Sequence, residues 1–100
     1  MKLKSKYKIG GHWYKVIFPY KFKERTDIDG QCDNSLLEIR LIATDGMGNE
    51  IPMSKVIEIF CHEVLHAIDA VYNAGKLEND TVARLGNGLY QFLNDNGFLK

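Results

Sequence analysis

The chain has 100 residues, of which 45% are hydrophobic, so length and composition predict a single domain, residues 1–100, built around one core. No run of about 18 or more apolar residues occurs, which excludes a transmembrane helix. The basic first residues are not followed by an apolar signal core, and two cysteines are too few for a disulfide scaffold, so we expect a cytoplasmic protein.

Charge is distributed unevenly along the chain, although the formal net charge is zero. Eight basic residues but only one acidic residue, Glu24, occur among residues 1–25. Such a segment can contact nucleic acid or an acidic partner. However, lysine recurs at every second position from Lys2 to Lys8, which is typical of the solvated face of an edge strand. We favour the edge strand, and nucleic acid is not expected as a partner.

A first β-hairpin is predicted where two strand-like segments, residues 7–9 and 13–18, flank a short turn. Gly10 and Gly11 supply the positive φ angles that a tight turn requires. His12 follows the turn, and we interpret it as a surface residue.

A second hairpin is predicted from residues 30–32 and 36–42, because the turn-forming residues 33–35 separate them. The polar residues 23–30 are expected to form a loop before this hairpin. Cys32 is placed on a strand, and a disulfide to Cys61 is left open.

A long helix is predicted over residues 53–72, with Gly75 just beyond its end. Its apolar residues recur at spacings of three and four, and we expect them to face the core: Ile57, Cys61, Val64, Ile68 and Val71. Cys61 is therefore interpreted as a small buried apolar residue and not as a metal ligand.

The same helix carries the sequence His62-Glu63-Val64-Leu65-His66 on the flank of this stripe. Residues four apart share a helix face, so both imidazoles can bind one metal ion, with Glu63 beside the ion as the proton acceptor. This is the HExxH pattern of zinc metalloproteases, although the pattern also occurs by chance in unrelated helices. Asp69 extends the flank, either as an acceptor for a ring N–H of His66 or as a solvated residue.

A second helix is predicted over residues 79–94, with Asn79 or Asp80 as its N-cap. Close packing against the first helix would explain at least one of its two glycines, Gly86 and Gly88. The resulting order of two hairpins and two helices predicts an α+β fold with a small antiparallel sheet.

The chain resembles the small gluzincin-type zinc metallopeptidases, most closely the compact phage and mobile-element proteins that are similar to the ImmA/IrrE metallopeptidases. Residues 62–67 carry the resemblance, and residues 30–33 and 82–93 support it more loosely. It implies that the two motif histidines bind zinc, that the motif glutamate is the general base and acid, and that an acidic residue at the start of the next helix is the third ligand.

Two acidic residues, Glu78 and Asp80, precede Val82 and compete for the role of third ligand. Glu78 lies four residues before Val82 and seven before Leu85, on the face that meets the first helix, whereas Asp80 points nearly opposite. We favour Glu78.

The function expected from these features is zinc-dependent hydrolysis of a peptide bond in a protein partner, for which the resemblance suggests a repressor-like regulator. Charge that develops on the carbonyl oxygen would be stabilised by a donor such as Tyr90 or His12. The alternative is a catalytically inactive accessory protein of a phage or mobile element, with a structural zinc or no metal.

Overall fold

The computed structural model describes residues 2–23 and 27–100 of the chain. Its elements are β1 (Lys6–Ile9), β2 (His12–Ile17), β3 (Gly30–Asp33), β4 (Glu38–Leu41), α1 (Met53–Tyr72) and α2 (Asn79–Asp95). The predicted α+β fold is confirmed, and both helices lie where the apolar periodicity placed them. Residues 24–26 of the predicted loop lie outside the described residues.

The four strands form one sheet in the order β1-β2-β4-β3. Both predicted hairpins are present, because β1 pairs with β2 and β3 pairs with β4 in antiparallel fashion. The hairpins join through β2 and β4, which run parallel, so the sheet is mixed and not wholly antiparallel. The apolar strand β4, with Ile39 and Leu41 fully buried, takes an inner position, whereas the more polar β3 lies at an edge.

One face of the sheet packs against α1 and forms the core. The buried core residues are Ile9, Tyr14, Val16, Ile39, Leu41, Val56, Ile59, Phe60 and Ala67. The other face of the sheet carries the alternate residues of each strand, most of which are exposed or half-buried.

The predicted apolar stripe of α1 is confirmed in part, because Ile57 and Cys61 are buried and Val64 packs against the core. Ile68 and Val71 are each 38% exposed, whereas Val56, Phe60 and Ala67 are buried in the core. These three residues also recur at spacings of four and seven, so the helix contains two overlapping apolar stripes. Periodicity alone cannot tell which stripe meets the sheet, because both satisfy the helical repeat.

The two helices pack against each other in antiparallel orientation. The backbone N–H of Leu77 donates to the Asp69 carboxylate near the end of α1, and Gly86 lies against His62 further back along the same helix. The turn between the helices begins at Ala74 and Gly75, which both have positive φ angles, so the predicted stop at Gly75 is confirmed.

The predicted N-cap of α2 is wrong by one or two residues. Glu78 occupies the N-cap position, and no side-chain cap hydrogen bond forms there. Asp80 lies in the first turn, where its carboxylate pairs with Arg84 at 2.7 Å. In the part of the chain that the structure describes, neither helix combines the length and the apolar character that crossing a bilayer requires.

Candidate metal centre

His62, Glu63 and His66 come together in the middle of α1. The Nε2 atoms of the two histidines are 3.1 Å apart, and their ring centroids are 4.8 Å apart. One ligand atom from each of the three residues lies within 4.8 Å of the others, so the group could hold a metal ion. The predicted clustering of these residues follows from a single helix that carries all three.

The spacing of the two imidazoles fits a tetrahedral ion. Two ligands held about 2.0–2.1 Å from one tetrahedral zinc lie about 3.3 Å apart, close to the 3.1 Å observed between the Nε2 atoms. Burial lowers the pKa of His62, and the neighbouring His66 lowers it further. Burial also lowers the pKa of His66, although the charge of Asp69 opposes this effect. Both shifts favour the neutral imidazole, which is the form that binds a metal.

Glu63 lies on the side of α1 that faces the sheet and is only 5% exposed. Its carboxylate lies against Gly30 of the edge strand β3. Burial raises the pKa of Glu63 to about 7, because an ionised carboxylate is poorly solvated there. A carboxylate whose pKa lies near neutral pH can both take up and release a proton under ordinary conditions.

A cleft of about 300 Å³ opens beside His62 and Glu63. It is lined by Ile28, Asp29, Gly30, Lys55, Glu58, Ile59, His62, Glu63 and Asn87. The sequence did not single out Gly30 or Asn87 for this site, since each comes from a different element and only the fold brings it to α1. The predicted close packing of Gly86 against α1 is confirmed. Because Asn87 follows Gly86, this packing was the sequence signal that could have placed Asn87 near α1.

Glu78, the predicted third ligand, lies outside the group formed by the motif residues. It occupies the N-cap position of α2, and its side chain is exposed. Gly86, which contacts His62, is eight residues further along, so about 12 Å of helix axis separate the two positions. His66 lies only about 6 Å from His62 along α1, so Glu78 lies about one turn beyond His66. Its role as a ligand stays a prediction.

Asp69 is buried, with 6% exposure, so the interpretation of it as a solvated helix residue is wrong. Its Oδ1 accepts hydrogen bonds from Asn73 Nδ2 at 2.9 Å and from the backbone N–H of Leu77 at 3.2 Å. The carboxylate therefore ties the end of α1 to the segment that leads into α2.

The remaining candidates from the sequence lie away from the cleft. Of the described residues, neither His12 nor Tyr90 lines it, so neither is placed as a donor to the reacting carbonyl. Cys61 is buried, as predicted, and Cys32 lies on β3; both thiols are free, so the disulfide that the sequence left open is not formed.

No protein-family model, curated protein or solved structure matches this chain. The resemblance to the ImmA/IrrE metallopeptidases therefore stays a prediction. The site combines two imidazoles at a chelating distance, whose pKa values burial lowers, with a buried carboxylate whose pKa burial raises and a cleft beside them.

Proposed function

We propose that this protein is a zinc-dependent peptidase that hydrolyses a peptide bond in a protein partner. One observation carries the proposal: the buried Glu63 carboxylate adjoins two imidazoles whose Nε2 atoms are 3.1 Å apart, beside an open cleft. A purely structural metal site has no use for a buried acid of this kind, because burying an ionisable group destabilises the fold.

In this proposal two of the three motif residues bind the metal and the third transfers protons. His62 and His66 would hold the zinc ion through their Nε2 atoms. When bound, zinc supplies a Lewis acid for the substrate carbonyl and lowers the pKa of a coordinated water to about 7. Glu63 accepts a proton from the attacking water at its carboxylate and then donates it to the leaving amine.

The substrate would lie along the cleft in an extended conformation. Gly30 and Asp29 belong to the lining, and β3 pairs with β4 on one side only within the described residues. The free edge of β3 can therefore pair with a substrate segment through main-chain hydrogen bonds. From the family resemblance, we propose that the partner is a repressor-like regulator of a phage or mobile element and that the two proteins interact in the cytoplasm.

Zinc content tests the metal centre directly. We expect close to one zinc per chain in the purified protein and a loss of that zinc in His62→Ala and in His66→Ala. His12→Ala is the matched control, because His12 is the one histidine of the sequence outside the motif and is exposed on β2. Equal zinc content in all four proteins would contradict the proposal.

Catalysis is tested with Glu63→Gln, which preserves the shape of the side chain but removes the base. This variant should keep its zinc and lose about 10²–10⁴-fold in the rate of peptide hydrolysis. Because it binds substrate without cleaving it, it also serves as a trap for finding the partner. A captured partner that wild type leaves intact at equal zinc content would favour the accessory protein with a structural metal.

A further inference from the structure

The face of the sheet opposite α1 has a basic half formed by β1 and β2. Residues directly opposite each other in an antiparallel pair project to the same face, and the pairs here are Lys6 with Lys15 and Lys8 with Trp13. All four side chains are exposed, whereas the alternate residues Tyr14 and Val16 point into the core. We call these four residues, together with Lys4, the lysine–tryptophan face.

Trp13 is the unusual member of this face because it is 54% exposed. The Nζ atoms of Lys6 and Lys8 lie 4.6 and 5.8 Å from the centroid of its ring. A hollow of about 480 Å³ lies beside the ring, lined by Lys4, Ser5, Lys6, Tyr7, Lys8 and Trp13. A solvated edge strand explains the lysines, but it does not require a large aromatic ring among them.

On the described strands, the acidic residues of the outer face are Glu38 and Asp33 on the other half of the sheet, and Glu38 is the register partner of Lys15. Arg40 Nη2 pairs with Glu38 at 2.6 Å and with Asp33 at 3.2 Å. By contrast, residues 2–23 contain seven lysines and no aspartate or glutamate. The charge of the face is therefore not neutralised within its own segment, and an anionic partner would be attracted to it.

We propose that the lysine–tryptophan face binds single-stranded nucleic acid. Lysines along a strand can neutralise successive phosphates, and an exposed indole offers a surface on which a base can stack, whatever its sequence. An acidic peptide would use the lysines but would gain little from the indole ring. This site is independent of the metal cleft, because the sheet separates the face from α1 and its histidines.

Intrinsic fluorescence gives a direct test, since Trp13 is the only tryptophan in the chain. We expect a thymidine oligonucleotide about a dozen nucleotides long to change the Trp13 emission in a saturable manner. Binding should weaken with salt, with a slope of log affinity against log salt of about −3 if the four lysines each neutralise one phosphate. An unchanged spectrum at low salt would overturn the proposal.

Two double variants that lose the same charge distinguish binding at this face from nonspecific electrostatic attraction. In anisotropy measurements with a labelled oligonucleotide, Lys6→Ala/Lys8→Ala should bind about tenfold more weakly, and the magnitude of its salt slope should fall by about 1.4. Lys76→Ala/Lys100→Ala removes the same charge from exposed positions elsewhere and should bind as wild type does. Equal losses in both variants would overturn the proposal, as would a polyglutamate peptide that competes better than the oligonucleotide. Neither result would affect the zinc assays.

Discussion

Gly30 of β3 lies directly against Glu63 of α1. A Cβ built on Gly30 would lie 3.0 Å from Glu63 Oε2 and 2.7 Å from Ile59 Cγ2. The absence of a side chain at residue 30 is therefore what allows the carboxylate to lie between the helix and the edge strand. Residue 30 must be glycine for a steric reason, because the sheet and α1 approach each other closely at Glu63, the proposed catalytic base.

Gly30→Ala should destabilise the protein by about 1–3 kcal/mol, because the added methyl group must push Ile59 and Glu63 aside. Urea unfolding measures the effect. The variant should still bind zinc through the histidines, while hydrolysis of a true substrate falls because the base is displaced. Unchanged stability would mean that β3 and α1 are further apart than this contact requires.

The two glycines of α2 provide a matched pair of substitutions. A Cβ at Gly86 would lie 3.1 Å from His62 Cα, whereas a Cβ at Gly88 would meet nothing within 4 Å. Gly86→Ala should lower stability by about 1–2 kcal/mol, since overpacking outweighs the gain in helix propensity. Gly88→Ala should raise it by about 0.5–1 kcal/mol. Thermal unfolding of both variants tests this, and equal shifts would contradict close helix packing at Gly86.

The local pattern of the sequence predicts the helices and strands, but it does not predict how they pair and pack. The bounds of α1, the turn at Gly10 and Gly11, and the clustering of the motif histidines all follow from residues close together in the chain. The parallel pairing of β2 with β4 depends on contacts between distant segments, for which no local pattern exists. The same holds for the contact of Gly30 with Glu63, because the sequence predicted Gly30 only as the residue at which the loop ends and the second hairpin begins.

Glu63→Gln should make the metal-free protein more stable at neutral and alkaline pH. The folded pKa of Glu63, about 7, lies above its ordinary value of 4.5, so at pH 4 the acid is mostly neutral in both states and the two proteins should differ little in stability. As the pH rises from 4.5 to about 7, the unfolded state ionises first and wild type loses stability. Above that window the deficit is constant, at about 3 kcal/mol.

Urea unfolding of chelator-treated protein at pH 4 and pH 8 measures this difference. Glu50→Gln, at an exposed position, is the control for the loss of one negative charge. A gap between wild type and Glu63→Gln that is equal at both pH values would indicate that the carboxylate is solvated in the folded protein.

Asp69→Ala should cost about 1–3 kcal/mol of stability, because it leaves the Leu77 N–H and the Asn73 amide without their acceptor. Asp95→Ala, at the exposed end of α2, should change stability much less. Denaturant unfolding compares the two variants. If Asp69→Ala instead weakened zinc binding at unchanged stability, Asp69 would act on the ring of His66 and not on the turn between the helices.

The third ligand is tested by comparing Glu78→Ala with Asp80→Ala. Glu78 lies about one turn beyond His66 along the helix pair, so its side chain must reach back towards the imidazoles to bind the ion. If it does, Glu78→Ala should weaken zinc binding by at least 10–100-fold, since changes to residues around the ligands alone have that effect. Asp80→Ala should leave zinc affinity unchanged.

The expected cost of Asp80→Ala is about 0.3–0.5 kcal/mol of stability, because its exposed ion pair with Arg84 spans one helical turn. Competition with a chelator of known affinity measures zinc binding in both variants, and thermal unfolding of the metal-free proteins measures the stability difference. A loss of affinity in Asp80→Ala alone would assign the ligand to Asp80. Unchanged affinity in both would leave His62 and His66 as the protein ligands on α1, with the remaining positions of the ion open to water and substrate.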